Sequence, residues 1–219
     1  MTRPVKKTPE QWKKEILDAA QQLFISKGYE ETSISDIMEM VGGAKGMFYR
    51  CFQSKEEMMY VLGKQMFLEN NPFEIVKGRT DLNALQKVKE LLFINQSDAK
   101  RNQINLQAIP ILKDSHILAA AVTANKQVLT PLWFELLEEG KKDGSIQTEY
   151  AKELSELLPL INFWLMPSVY PATLEEMYHK YFFIMEVLSK MGLPLLDKET
   201  KALAQKFLSD IAEKGGKTQ

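Results

Sequence analysis

Apolar residues recur along this chain at spacings of three and four, and no stretch alternates strictly enough to predict a strand. Thr8-Pro9 reads as a cap with proline at the first helical position, followed by a face of Ile16, Ala20, Leu23 and Phe24 and a stop at Gly28. Ser33, with Asp36 three residues on, predicts a second start whose apolar face is Ile34, Ile37, Met38 and Val41. Gly42 ends it, because glycine alone enters the left-handed region without penalty. Phe48 and Phe52, four apart, give the next helix one inward face. Ser54 opens a fourth helix, with Glu57 completing a capping box and Met58, Val61, Leu62 and Met66 inside; Asn70-Asn71-Pro72 interrupts it. Further helices are predicted over 81–94, 97–109, 115–142, 148–166, 173–191 and 199–214, the longest kinked or broken at Pro131. The fold class is all-α.

The stretch from Thr32 to Met58 holds two short helices joined by a glycine turn, which describes a helix-turn-helix. With Phe48 and Phe52 inward, Lys45, Met47, Tyr49 and Arg50 face at least partly outward, on a helix dimensioned for the DNA major groove. The pattern alone is equally that of an αα-corner with solvated charges. Two neighbours favour DNA. Arg3, Lys6, Lys7, Lys13 and Lys14 face only Glu10 in the same interval, and Lys55 sits where free backbone N–H groups suit a phosphate.

Composition narrows the classes. The net charge of -1 means that an anionic partner must be met by a local patch. A lone cysteine, Cys51, forms no intrachain disulfide and suits a reducing compartment. The N-terminus lacks a signal peptide's apolar core, and the uncharged run 157–174 contains Pro159, Pro167 and Pro171, which suit turns rather than a lipid span. A cytoplasmic protein is expected, without a membrane partner. An enzyme would need a nucleophile, an acid–base pair or a metal cluster. His116 and His179 are far apart in sequence, and no HExxH, CxxC or phosphate loop occurs, so no catalytic residue, metal ligand or cofactor is expected.

The segment "ILDAAQQLFISKGYEETSISDIMEMVGGAKGMFYRCFQSKEEMM" resembles the N-terminal DNA-binding domain of the tetracycline-repressor (TetR) family. Its "F-x-x-K-G-Y" and "K-G-x-x-Y-x-x-F-x-S-K-E" elements are the most specific part. The resemblance implies a helix-turn-helix domain over residues 1–62, with the motif at about 33–52, and a larger helical effector-binding and dimerisation domain over 63–219. It implies that Lys45, with the small neighbours Ala44 and Gly46 and with Met47 and Arg50 on the same helix, lies against DNA. It further implies that Tyr49 and Lys55 hold phosphates and that Ser33 touches the backbone. Three positions depart from the family pattern: Ala44 for Ser or Thr, Gly43 for an apolar turn residue, and Cys51 for His or Tyr.

Toward the C-terminus, "LLPLINFWLM" and "YHKYFFIMEVL" are apolar nearly all round, which suits either a monomer core or two helices shared with a second copy. The resemblance favours a homodimer on a palindromic operator. Effector-binding candidates are Met66, Phe67, Trp133, Asn162, Phe163 and Trp164, chosen as adaptable apolar side chains plus one polar residue that needs a partner if buried. For each of the apolar ones ordinary core is the plainer reading. The expected function is a sequence-specific DNA-binding regulator, a repressor released by a small, largely apolar effector. The alternatives are a helical interaction protein that keeps the motif without binding DNA, and an activator.

Overall fold

The computed structural model describes residues 7–97 and 99–215, with side chains described for 7–91 and 103–213. Arg3 and Lys6 of the N-terminal arm lie outside the described residues. Among the described residues every regular element is helical. They are α1 (Pro9–Ser26), α2 (Ile34–Met40), α3 (Lys45–Cys51), α4 (Lys55–Glu69), α5 (Pro72–Lys77), α6 (Ala84–Ser97), α7 (Ala99–Ala108), a 3₁₀ turn (Ile109–Lys113), α8 (Ser115–Ala124), a π turn (Asn125–Leu129), α9 (Thr130–Asp143), α10 (Ala151–Leu165), α11 (Leu174–Lys190) and α12 (Lys198–Gly215).

Local capping explains the starts. Thr8 and Gln11, Ser33 and Asp36, and Thr173 and Glu176 each form a reciprocal box that satisfies two otherwise orphaned backbone donors. Ser54 departs from expectation. Its hydroxyl accepts from Glu57 N–H, but the Glu57 carboxylate turns to the Gln53 N–H instead of closing the box. Pro72 opens α5 as its first residue, capped by Asn71.

The predicted helix over 115–142 is three pieces. Pro131 has no N–H to donate and its ring crowds the preceding turn, so the chain widens to a π turn just before it and resumes as α9. The helix expected from residue 81 starts instead at Ala84, after an Asn83–Gln86 box, and its first N–H groups donate to Asp143 and Ser145 from a distant turn. That turn ends α9 at Gly144, and Ile146 beyond it is fully buried against Gly140.

Two buried clusters organise the molecule. One joins Ile16, Ala20, Phe24, Ile37, Phe48 and Met58 with Ile104, Ile111 and Ile117, so α7 and α8 complete the core of the N-terminal helices. The other runs from Phe73 through Leu137, Leu158, Met177 and Leu188 to Ile211. Among the described residues no helix is long and apolar enough to cross a membrane.

Candidate nucleic-acid interface and adjoining cavity

Helices α1, α2 and α3 pack around Phe48, whose side chain has no exposure and whose ring meets Phe52 at 5.5 Å. With that face inward, Ala44, Lys45, Gly46, Tyr49 and Arg50 are exposed and Met47 is half-buried. Tyr49 is 59% exposed although it sits beside the fully buried Phe48. An aromatic ring held in water next to two basic side chains is a surface that can stack on or hydrogen-bond to a nucleic-acid backbone.

The turn between α2 and α3 shows why two glycines stand together. Gly42 adopts φ +67°, in the left-handed region. Gly43 lies under the Trp12 ring of α1, where a Cβ would come within 2.8 Å of Trp12 Cζ3. The indole therefore fills the space that an apolar turn residue would otherwise fill. Ala44 caps α3 with no side-chain hydrogen bond, as its missing hydroxyl requires.

Ser33 is spent mainly on its own helix, its hydroxyl accepting from Asp36 N–H at 3.1 Å. Lys27 meets the same aspartate at 2.7 Å, and that hydrogen bond with the Ser33 N–H holds the Asp36 carboxyl down at about 2. The Lys55 ammonium, expected to hold a phosphate, also has partners inside the protein. It donates to the Tyr29 and Thr32 carbonyls at 2.9 and 3.1 Å and lies 4.1 Å over the Tyr29 ring. Two of its three donors are thereby committed inside the protein, which leaves one N–H and the start of α4 for a phosphate. Cys51 is half-buried, and burial pushes its thiol above the ordinary value against a weaker pull from Lys13. A thiol so placed stays protonated, which favours a packing role.

The loop after α1 is clasped from the far side too, by residues that sequence reasoning missed. Tyr29 donates its hydroxyl to Glu56 at 3.1 Å and its N–H to Gln107 at 2.9 Å. Gln107 and Gln103 of α7 donate back to the Phe24 and Ile25 carbonyls. Their one sequence signal is i, i+4 spacing, and nothing local says what they face.

A cavity of about 300 Å³ opens between α4, α7, the 3₁₀ turn, α8 and the π turn. Its lining includes Tyr60, Gly63, Lys64, Phe67 and Leu68 from α4, with Ile109, Ala121, Asn125, Leu129 and Met166 opposite. Tyr60 donates its hydroxyl to Ala120 of α8 at 3.1 Å, tying the two walls. Of the expected effector residues, only Phe67 lines it. Met66 points into the N-terminal core, and Trp133 packs edge-on against Phe73 at 5.0 Å. Phe163 and Trp164 are half-buried away from the cavity, and Asn162 is exposed, so it needs no buried partner. The reason is rotational: α10 turns its Leu158, Ile161 and Leu165 face inward and leaves residues 162–164 on other sides.

Residues 16–60 match the family model of bacterial regulatory proteins, tetR family. The chain is similar to the HTH-type transcriptional repressor KstR2 of Mycolicibacterium smegmatis, 27% identical over 154 residues, which is 64% of this chain and 70% of that one. It is similar also to KstR2 of Rhodococcus jostii, 28% identical over 149 residues, 64% of this chain and 71% of that one. Among solved structures, the TetR-family repressor FadR of Thermus thermophilus in complex with lauroyl-CoA superimposes with a TM-score of 0.57 at 19% identity, covering 85% of this chain and 96% of that one.

Proposed function

We infer that this chain, which belongs by its N-terminal domain to the TetR family of DNA-binding transcriptional regulators and is not an enzyme, is a homodimeric repressor released from a palindromic operator by a small, largely apolar effector. The observation that carries this reading is the double use of α4. Its first turn clasps the loop after α1 through Lys55 and Glu56, while its far half lines the cavity through Gly63, Lys64 and Phe67. Whatever enters the cavity pushes on the helix that holds the DNA-reading unit. In this reading Lys45 meets base edges, while Tyr49, Arg50 and the start of α4 meet phosphates.

Dimerisation is supported by apolar surface left in water on α10 and α11. Leu160 is 44% exposed and Phe183 60%, and Phe183 meets Trp164 of α10 edge-on at 6.1 Å. Covering that face with the same face of a second copy is the two-fold solution. A dimer reads two half-sites about 34–36 Å apart, or a multiple, so a tilt of α4 in each subunit spoils the match. Leu160→Asp with Phe183→Asp should convert a dimer to a monomer in sedimentation; a wild-type monomer at micromolar concentration defeats the dimer.

The effector can shift the equilibrium only by preferring the released state, with coupling typically of about 1–3 kcal/mol. Linkage then requires operator DNA to weaken effector binding by the same factor. The test takes operator fragments selected from genomic DNA and titrates effector with and without saturating operator. Equal affinities in the two titrations would sink release by effector.

A further inference from the structure

The cavity-facing side of α4 has two features that neither folding nor packing demands. Gly63 sits in the helix interior, where glycine costs stability relative to alanine. Its backbone is ordinary helix, and a Cβ placed on it would have nothing within 4 Å, so neither φ nor a close neighbour requires glycine there. What its missing side chain provides is room in the cavity it lines. Lys64, next to it, is the one charged residue among the described residues that line the cavity. Among the described residues its ammonium has no ion pair or hydrogen bond. Around these two the wall is hydrocarbon: Phe67, Leu68, Ile109, Leu112, Val128 and Leu129. Leu68 is 57% exposed, an apolar side chain held in water on the same side of the helix.

We propose that the cavity takes an amphipathic anion, a hydrocarbon-bodied carboxylate whose tail occupies the room left at Gly63 and whose carboxylate pairs with Lys64 at the mouth. A wall of alkyl and aromatic groups selects an apolar body, and a single unpaired cation at an open edge selects one negative charge. The Tyr60 hydroxyl is already spent on Ala120 and the Asn125 amide donates to the Pro159 carbonyl. That leaves the neutral amide of Asn105 and the ammonium of Lys64 to orient a head group, and of these two the lysine carries the charge. A cavity of about 300 Å³ lies at the compact end of small-molecule sites. This assignment rests on the reading of the cavity as the effector site, and it names the chemistry of the effector.

The test is calorimetric titration of the DNA-free protein with decanoate, 1-decanol and decylamine below their micelle concentrations at neutral pH. Decanoate should bind about fivefold tighter than decanol, the scale of an ion pair at a water-exposed edge. Lys64→Ala should bring the two within about twofold, and Lys64→Glu should make decylamine the tightest of the three. Gly63→Leu should weaken all three by about tenfold or more while raising the melting temperature, because it fills the cavity and improves the helix. Equal affinity of decanoate and decanol for wild type, or an unchanged ratio in Lys64→Ala, overturns the anionic assignment. Undiminished binding by Gly63→Leu, or no binding of any probe to wild type, overturns the assignment of this cavity. Because no DNA is present, failure of operator release alongside an intact carboxylate preference counts against the repressor reading alone.

Discussion

The N-terminal reading unit and the helices that follow it solve the same burial problem in different ways. From Thr8 to Leu62 the two helices of the reading motif are only 7 residues long, every start but that of α3 is capped by a side chain, and the inward side chains sink almost completely. The polar and aromatic groups left outside on α3 are ones that water tolerates and phosphates attract. Beyond Phe73, α9 to α12 are longer, yet apolar side chains such as Leu160 and Phe183 stay in water and a cavity remains open beside α4. In the function proposed above, the first unit reads DNA and must be rigid on its own, whereas the second would sense a ligand and hold a second copy and so must keep apolar surface in reserve.

Paired glycine substitutions give the largest expected contrast between the two halves. Gly192 has φ +86°, and a Cβ there would lie 1.7 Å from the Gln147 carbonyl oxygen, a backbone atom that cannot rotate away. Gly192→Ala should cost more than about 4 kcal/mol in urea unfolding, or prevent folding of the C-terminal helices. Gly42, at φ +67° in open space, should cost only the left-handed penalty of about 1–2 kcal/mol when changed to Ala. Equal losses at the two sites would show that backbone conformation, not the close approach, sets both.

Next in size is the division of labour on α3. Lys45→Ala should lose about 1–3 kcal/mol of discrimination between operator and random duplex. Tyr49→Ala should weaken both duplexes alike and change folding stability by less than about 0.5 kcal/mol, given its exposure. Competition binding at two salt concentrations separates these outcomes, and a uniform loss from Lys45→Ala would remove it from base reading.

Capping offers a smaller and two-signed comparison. Ser33→Ala should destabilise by about 1 kcal/mol, because it removes the hydroxyl that accepts from the Asp36 N–H while leaving the Ser33 N–H to Asp36 half of the box in place. Ala44→Ser should stabilise by up to a similar amount, since α3 starts without a side-chain cap. Thermal unfolding of the two variants and wild type reads both signs.

The smallest effect is the pH dependence of the half-buried Asp36. Its carboxyl is held at about 2 by Lys27 and the Ser33 N–H, below the unfolded value of about 3.9. Its contribution is therefore fully present above the unfolded value and is lost as pH falls through about 2. The melting-temperature difference between wild type and Asp36→Asn should shrink across that acid interval, and a constant difference would mean that the ion pair contributes nothing.

The sequence by itself determined the helix class, most of the helix starts and the outward set on α3. Those follow from caps, glycine turns and three-and-four spacing, interactions that span less than two turns of chain. Phe48 and Phe52 four apart were enough to send Tyr49 and Arg50 to the surface. Tertiary structure decided what spacing cannot encode. It committed the Lys55 ammonium to the Tyr29 and Thr32 carbonyls across more than twenty residues of chain and brought Gln107 onto the loop after α1. It turned Asn162 into water and Trp133 onto Phe73, and it gathered Gly63, Lys64, Ile109 and Leu129 around one cavity instead. An apolar side chain has the same signature in sequence whether it fills a core, lines a cavity or waits for a partner. Only the rotation of each helix against its neighbours tells these apart, because that rotation fixes which side of the helix meets atoms and which side meets empty space.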